Sequence, residues 1–326
     1  MPDQQSDRRD PIVKICCIGA NGFIGRHLCR ALQGIEGARI VGLGRRFDAS
    51  SFTAAGPAVE FRLVDFRDTE AVLGLVGSAE VVVDLVAAET PRSFPHIGSR
   101  RLLDAIAPHL ALYEALAARG TRVVFLSSGG TIYGDVDSRS VSEDAPARPT
   151  SGYSFGKYMT EEALRSWSRV APLTYTILRL SNPFGPGQVV KHDQGLIPAI
   201  LSAVSEGREF QVYGDGSAVR DYIFIADAVR AIARAIALPE ASRNEIINVG
   251  SGQGASVLDV ISLCEEFLER KLALRFNPVD GPAISRSVLD ISKAERLLDW
   301  RPDVSLREGL KATVRAFRFR EQGAAA

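Results

Sequence analysis

One short stretch near the start of the chain, Gly19-Ala-Asn-Gly22-Phe-Ile-Gly25, constrains the fold more than any other. It follows Ile12-Val-Lys-Ile-Cys-Cys-Ile18, a β-branched run that reads as a buried strand. It leads into Phe23 to Leu32, whose apolar residues recur with helical periodicity and stop at Gly34. A strand, a glycine turn and a helix in that order make a cradle for a pyrophosphate. Glycines let the backbone approach the phosphates closely, and the helix N-terminus offers free N–H groups and a positive dipole end. The bland alternative is a tight turn that needs positive φ. On the cradle reading, Gly19, Asn21, Gly22, Phe23, Ile24 and Gly25 are the expected dinucleotide contacts.

Further along, Tyr153-Ser-Phe-Gly-Lys157 pairs a phenol with an ammonium on one helical face, because residues i and i+4 are neighbours there. A free tyrosine titrates near pH ~10. A cation beside it favours the phenolate and draws that value toward neutrality, where a general acid/base works best. The spacing recurs in many unrelated helices; it gains weight from the glycine cradle upstream.

Strand-like runs alternate with amphipathic helices through most of the chain. The strands are expected at Ile12–Ile18, Arg39–Leu43, Val59–Val64, Glu80–Val86, Thr121–Ser127, Leu173–Leu180 and Glu245–Val249. Helices are expected near 23–33, 68–76, 99–118 and 152–170. Most of the strands are apolar throughout, as when helices cover both faces of a parallel sheet. The fold class is therefore α/β, a doubly wound parallel (Rossmann) sheet whose ligands gather at the carboxyl ends of its strands. From Asn182 the pattern breaks: Pro183, Gly185, Pro186 and Gly187 mark an excursion, followed by a helix near 194–206. This predicts a smaller, discontinuous substrate-binding lobe. The expected partition is 11–181 plus 221–249 for the dinucleotide domain and 182–220 plus 250–320 for the lobe. Residues 1–10 read as a disordered lead-in and 321–326 as a frayed tail.

With 326 residues and 46% hydrophobic composition, the chain can bury a large core. Lys+Arg and Asp+Glu both number 39, so the net charge is zero and nothing favours a nucleic-acid partner. The most apolar run, Val81 to Ala88, is too short to span a bilayer, and no signal peptide is recognisable. The four cysteines lack metal-ligand spacing and read as buried thiols, consistent with a cytoplasmic location. His27 reads as packed or capping; His96, His109 and His192 have no metal-like partners, so no metal site is expected.

Taken together, these segments resemble the extended branch of the short-chain dehydrogenase/reductase family, and within it the nucleotide-sugar epimerases and dehydratases. The carriers are Gly19-x2-Gly22-x2-Gly25, Asp65 in Leu63-Val-Asp-Phe-Arg-Asp68, Ser127-Ser-Gly-Gly-Thr-Ile-Tyr-Gly134 and Tyr153-x3-Lys157. Arg179-Leu-Ser-Asn-Pro-Phe-Gly-Pro-Gly-Gln188, Gly214-Asp-Gly-Ser-Ala-Val-Arg-Asp-Tyr222, Asn248-Val-Gly-Ser251 and Asp290-Ile-Ser-Lys293 follow in the same order. The resemblance implies roles. Tyr153 would be the acid/base acting on a sugar hydroxyl, and Lys157 would hold the nicotinamide ribose and lower the tyrosine's pKa. Asp65 and Phe66 would line the adenine pocket, Asn182 would contact substrate and Arg220 would bind a nucleotide diphosphate. A guanidinium fork matches phosphate oxygens, although Arg220 could instead pair with Asp221, and Asn182 could serve the turn before Pro183. Relatives pair the helices matching 99–118 and 152–170 into a dimeric bundle, which implies a homodimer.

The chain departs from the family pattern in places that matter. The usual hydroxyl position, five residues before Gly134, is Gly129. Ser128 and Thr131 are the candidates to replace it, with Ser128 favoured if the glycine pair lets the strand end twist. The second strand ends in Gly42-Leu-Gly-Arg-Arg46 with no carboxylate before Asp48. Arg45 and Arg46 suit a 2′-phosphate and tilt the cofactor from NAD toward NADP, unless they are solvated and Asp48 reaches the ribose. Where relatives carry a diphosphate-binding arginine, this chain has Asp280, with Arg286 nearby as a substitute. The resemblance implies an NAD(P)-dependent nucleotide-sugar 4-epimerase of the UDP-glucose/UDP-galactose type, working through a transient 4-keto sugar. The alternatives are an NADPH-dependent reductase of a 4-keto-deoxy sugar nucleotide and a non-catalytic cofactor-binding scaffold.

Overall fold

A computed structural model describes residues 13–35, 37–46, 59–87, 93–94, 96, 98–136, 138–189, 195–279 and 284–324. Asp48, His192, Asp280 and the 1–10 lead-in lie outside the described residues. The elements begin β1 (Lys14–Ile18), α1 (Phe23–Leu32), β2 (Arg39–Gly44), β3 (Val59–Leu63), α2 (Thr69–Val76), β4 (Val81–Asp84) and α3 (Ser99–Arg119). They continue β5 (Arg122–Ser128), α4 (Gly152–Val170), β6 (Thr174–Leu180), β7 (Asn182–Phe184), α5 (Leu196–Ser205), β8 (Phe210–Tyr213) and β9 (Val219–Phe224). The chain ends α6 (Ile225–Ala237), β10 (Glu245–Val249), β11 (Gly254–Ser256), α7 (Val257–Leu268), β12 (Leu274–Asn277), β13 (Arg286–Ser287), α8 (Ser292–Leu298) and α9 (Leu306–Ala324).

A seven-stranded parallel sheet runs in the order β3-β2-β1-β4-β5-β6-β10. Side chains of a strand alternate between its faces, and β1 shows why its run had to be apolar throughout. Ile15 and Cys17 enter a core with Leu28 and Leu32 of α1 and Ile232 of α6. Cys16 and Ile18 enter the opposite core with Leu112, Tyr113 and Leu116 of α3 and Leu164 of α4. Strand order reverses between β1 and β4, so the loops after those strands part and leave a crevice at their carboxyl ends.

The second unit is a mixed sheet in which β9 pairs with β7, β11 and β13, together with the β8–β12 pair. Phe184, Ile200, Phe210, Tyr222, Val260 and Leu310 share its core with α5, α7 and α9. The chain over 221–249 was expected to rejoin the main sheet; residues 221–224 lie in β9, and the return is made through α6 to β10. Conversely, Ala294, Leu298 and Trp300 pack into the main core, with the Trp300 indole donating to the Asp227 carbonyl at 3.1 Å. Helix α9 runs to Ala324, beyond where the tail was expected to begin. Among the described residues no helix is long and apolar enough to cross a membrane.

Candidate functional site

The glycine turn folds as its composition demands. Gly19 has φ +86°, and its amide and that of Ala20 donate to the Leu43 carbonyl at 2.9 and 3.0 Å. Gly25 sits so close beneath the turn that a Cβ there would lie 2.3 Å from the Gly19 carbonyl oxygen. Only glycine lets α1 start against the end of β1. Gly22 caps α1 without any side-chain acceptor, and Asn21 Oδ1 is buried without a partner. An uncapped helix start beside a closely packed glycine turn fits a pyrophosphate, and an unsatisfied acceptor beside it fits a ribose hydroxyl. Asn21, Gly22 and Phe23 line a cavity of about 850 Å³, whereas Ile24 turns into the main core.

The other expected dinucleotide contacts divide. Arg45 and Arg46 are both exposed, and Arg46 lines the cavity. Asp65 is exposed and accepts from the Arg67 amide at 3.0 Å. Phe66 packs edge-on against His109, with centroids 4.7 Å apart. Neither Asp65 nor Phe66 lines the cavity.

Helix α4 starts with a capping box in which Ser151 and Ser154 bond each other's backbone, which puts Tyr153 in its first turn. Deeper in, Glu161 anchors the helix to the sheet. It accepts from the Ser127 hydroxyl at 2.5 Å and from Arg179 of β6 at 2.6 Å, all three buried. Tyr153, Ser128 and Thr131 line the same cavity as the glycine turn. The Ser128 and Thr131 hydroxyls are 3.0 Å apart. Burial raises the Tyr153 phenol above its ordinary value, and a hydrogen bond from Ser128 works against that rise. Gly129 explains why the usual hydroxyl position is bare. A Cβ there would lie 2.5 Å from Leu289 Cδ1 and 2.9 Å from the Arg179 carbonyl oxygen, in the packed wall. The hydroxyls that face the cavity are those on either side of the glycine pair.

Lys157 departs from expectation. Its ammonium donates to the carbonyls of Val86 at 3.0 Å and Leu126 at 2.8 Å and lies 4.5 Å from the Phe125 ring centroid. Burial lowers its pKa to about 8, while Asp84 and Glu161 favour its charge. Burial and the Ser128 hydrogen bond set the direction of the Tyr153 shift, while the Lys157 ammonium is spent on the two carbonyls.

Reading by motif missed a buried group at the end of β4. Asp84 Oδ2 accepts from His109 Nδ1 at 2.6 Å and from the Tyr113 hydroxyl at 2.7 Å, and Asp84 Oδ1 accepts from the Val86 amide at 3.0 Å. Burial opposes the charge, yet His109, Lys157 and Tyr113 together hold the carboxyl below its usual range. Val86 thus links Asp84 through its N–H to Lys157 through its carbonyl. The clue available was a carboxylate ending an otherwise apolar strand, Val81-Val-Val-Asp84, which demands a partner. His109, Lys157 and Tyr153 also line a second, much smaller cavity of about 30 Å³.

Across the main cavity stand Asn182 and Arg220. Asn182 Nδ2 donates to the Asp221 carbonyl at 2.8 Å and so ties β7 to β9. Arg220 does not pair with its neighbour. Successive strand residues face opposite ways: the Asp221 carboxylate accepts from the amides of Ser251, Gly252 and Leu289. Arg220 meanwhile lines the cavity, braced by the Val219 and Ile284 carbonyls at 2.8 Å each. Arg286 is not among the lining residues; its Nε donates to the Arg139 carbonyl at 3.1 Å. His27 lies 3.0 Å from the Pro186 carbonyl and, with Arg26 on Gly187, clamps the 185–188 loop to α1. His96 is exposed.

Residues 15–250 match the model of the NAD dependent epimerase/dehydratase family. The chain is 32% identical over 315 residues to a UDP-glucose 4-epimerase of Mycolicibacterium smegmatis, covering 93% of this chain and 98% of that protein. Its structure superposes with a TM-score of 0.85 on a Thermotoga maritima UDP-glucose 4-epimerase solved with UDP-glucose, at 30% identity, covering 95% and 100% of the two chains. A Bacillus cereus UDP-glucuronic acid 4-epimerase solved with UDP-glucuronic acid and NAD gives 0.85 at 26% identity, covering 94% and 100%.

Proposed function

The chain belongs to the NAD dependent epimerase/dehydratase family, and within it we propose a nucleotide-sugar 4-epimerase of the UDP-glucose/UDP-galactose type with Tyr153 as its acid/base. The observation that carries this reading is the meeting of Tyr153, Ser128 and Thr131 on the wall of one cavity that also takes in the glycine turn and Arg220. Arg220 offers a guanidinium, raised on β9 and braced by carbonyls, to a diphosphate. Tyr153 takes the proton from the sugar's 4-hydroxyl and returns it, and Ser128 and Thr131 hold the reacting oxygen. Bound dinucleotide supplies reversible hydride exchange at the sugar carbon. The cavity, about 850 Å³, would give the ring room to turn over between the two proton transfers at Tyr153.

The test is conversion of UDP-glucose to UDP-galactose by the purified protein. Replacement of Tyr153 by Phe is expected to lower kcat by at least about 10²-fold, the usual contribution of a positioned acid/base. No 4-epimer from any UDP-hexose with either cofactor would end the proposal. The second reading, an NADPH-dependent reductase of a 4-keto sugar nucleotide, is favoured by Arg46 on the cavity wall, where a 2′-phosphate would find a cation. Mass spectrometry of the small molecules released from denatured protein separates the two. Retained oxidised NAD favours the epimerase; NADPH consumed one-for-one with a keto-sugar favours the reductase. The proposed working form is a cytoplasmic homodimer, a location suited to four buried, unpaired cysteines. Helices α3 and α4 would form the contact, where Leu103 is 59% exposed; light scattering at the mass of one chain would refute the dimer.

A further inference from the structure

The imidazole of His109 on α3 is 6% exposed and fixed by its surroundings. The rings of Phe66, Tyr113 and Phe125 have centroids 4.7, 6.1 and 6.0 Å from its own. Its Nδ1, 2.6 Å from Asp84 Oδ2, must carry a hydrogen, because two bare acceptors would repel at that distance. The same carboxylate accepts from the Tyr113 hydroxyl at 2.7 Å and the Val86 amide at 3.0 Å. A neutral ring with its proton on Nδ1 presents a lone pair at Nε2. Among the described residues none bonds Nε2.

His109 lines the small cavity of about 30 Å³ together with Lys157 and Tyr153, and Tyr153 lines the main cavity as well. A space of that size holds a water where polar groups are present to bind it. Lys157 has three donors and spends two of them on the Val86 and Leu126 carbonyls. Its ammonium and the His109 ring both stand against Phe125, 4.5 and 6.0 Å from that ring's centroid. The Thr160 hydroxyl, also in this wall, is committed to the Gly156 carbonyl at 2.9 Å. One donor from Lys157 and the lone pair of His109 are what a bridging water needs.

Tyr153 has to give up its own proton before it can take one from a sugar hydroxyl. Burial holds the phenol protonated beyond its ordinary range, so the site needs an acceptor. We propose that His109, backed by Asp84, is the proton acceptor for Tyr153, with water in the small cavity passing the proton between them. The phenol O–H breaks as the water takes its proton, and one of the water's own hydrogens goes to Nε2. Phenolate and imidazolium result, the water is regenerated and no electron changes carrier. Asp84 beside Nδ1 stabilises the imidazolium, as a carboxylate does in a Ser-His-Asp triad. The titratable groups about the ring are Asp84 of β4, Tyr113 of α3, and Lys157 and Tyr153 of α4, with Glu161 acting on Lys157. From β5 and the loop after β3 come the rings of Phe125 and Phe66. The inference rests on Tyr153 as acid/base in the epimerase reading above.

The experiment is kcat/KM for epimerisation of UDP-glucose against pH, in wild type and His109→Asn, each full-length, with the dinucleotide it retains and checked by thermal melting. Asparagine keeps an N–H for Asp84 and cannot take up a proton. Wild type should lose activity on the acid side at the pH where NMR shows the His109 ring becoming protonated. That signal is assigned by replacing the other three histidines one at a time. His109→Asn is expected to fall by at least about 10²-fold near neutrality. It should then recover about tenfold per unit of rising pH, the slope for loss of one proton to solvent. An unchanged rate and profile in His109→Asn, or a loss equal at every pH, overturns this inference alone. If His109→Asn does not fold, coincidence of the wild-type acid limb with the His109 titration supports the inference and a mismatch overturns it. A wild type that makes no 4-epimer, or a Tyr153→Phe variant as active as wild type, overturns the functional reading with it.

Discussion

Lys157 carries the clearest consequence at the scale of a single residue. Its folded-state pKa is pushed down to about 8, below the ordinary lysine value, so its ammonium is lost as pH rises through that point. If the ammonium helps to hold the dinucleotide, affinity for oxidised NAD should fall above pH 8 or so and lose that dependence in Lys157→Met. Fluorescence titration across pH measures it; a wild-type affinity flat to pH about 10, where a free lysine titrates, would remove Lys157 from the site. The groups favouring its charge are Asp84 from β4 and Glu161 from its own helix. Asp84→Asn should therefore move the fall to lower pH, with Glu161 left as the remaining group that favours the charge. His109 enters through Asp84, which it bonds at 2.6 Å.

At the scale of elements, the end of β5 shows how a departure from a family pattern becomes a requirement of packing. Gly129 is still in the ladder, donating to the Leu180 carbonyl at 2.8 Å, and its missing side chain lets Leu289 and the Arg179 carbonyl close in. Restoring a hydroxyl by Gly129→Ser is expected to destabilise the protein by about 1–3 kcal/mol, the range for overpacking, and not to raise turnover. Denaturant unfolding and an epimerase assay check both parts; a stable and faster variant would show that the side chain reaches the cavity after all. Helix α4 is placed with similar economy. Its capping box sets where it begins, and Glu161 on Ser127 and Arg179 sets where it lies on the sheet.

For the whole molecule, the cavity is made by two units that meet across it. Asn21, Phe23 and Ser128 come from the carboxyl ends of the main sheet, and Arg220, Tyr222 and Val257 from the second unit. A ligand that spans both should bind the folded chain and not the unfolded one, and so stabilise it. UDP at a hundred times its Kd should add about 2.7 kcal/mol, visible as a rise in Tm, and Arg220→Leu should erase most of that rise. An undiminished shift in the variant would remove Arg220 from the diphosphate site. Predicted and observed strands agree closely for the main sheet, because apolar runs covered on both faces announce themselves. The second unit was harder to read. Its β9 takes partners from residues 182–184, 254–256 and 286–287, and no local pattern encodes such pairings.

The amino-acid sequence alone determined what short-range physics controls: periodicity that separates strands from helices, and a strand–glycine–helix order that makes a phosphate cradle. It also placed Tyr153 and Lys157 one helical turn apart. Tertiary structure decided where those side chains point. Lys157 turned to carbonyls of Val86 and Leu126, 71 and 31 residues away in the chain, and Asp84 found its imidazole 25 residues on. Such contacts depend on which strands become neighbours, and on the need of every buried donor, acceptor and charge to find a partner once water has been excluded.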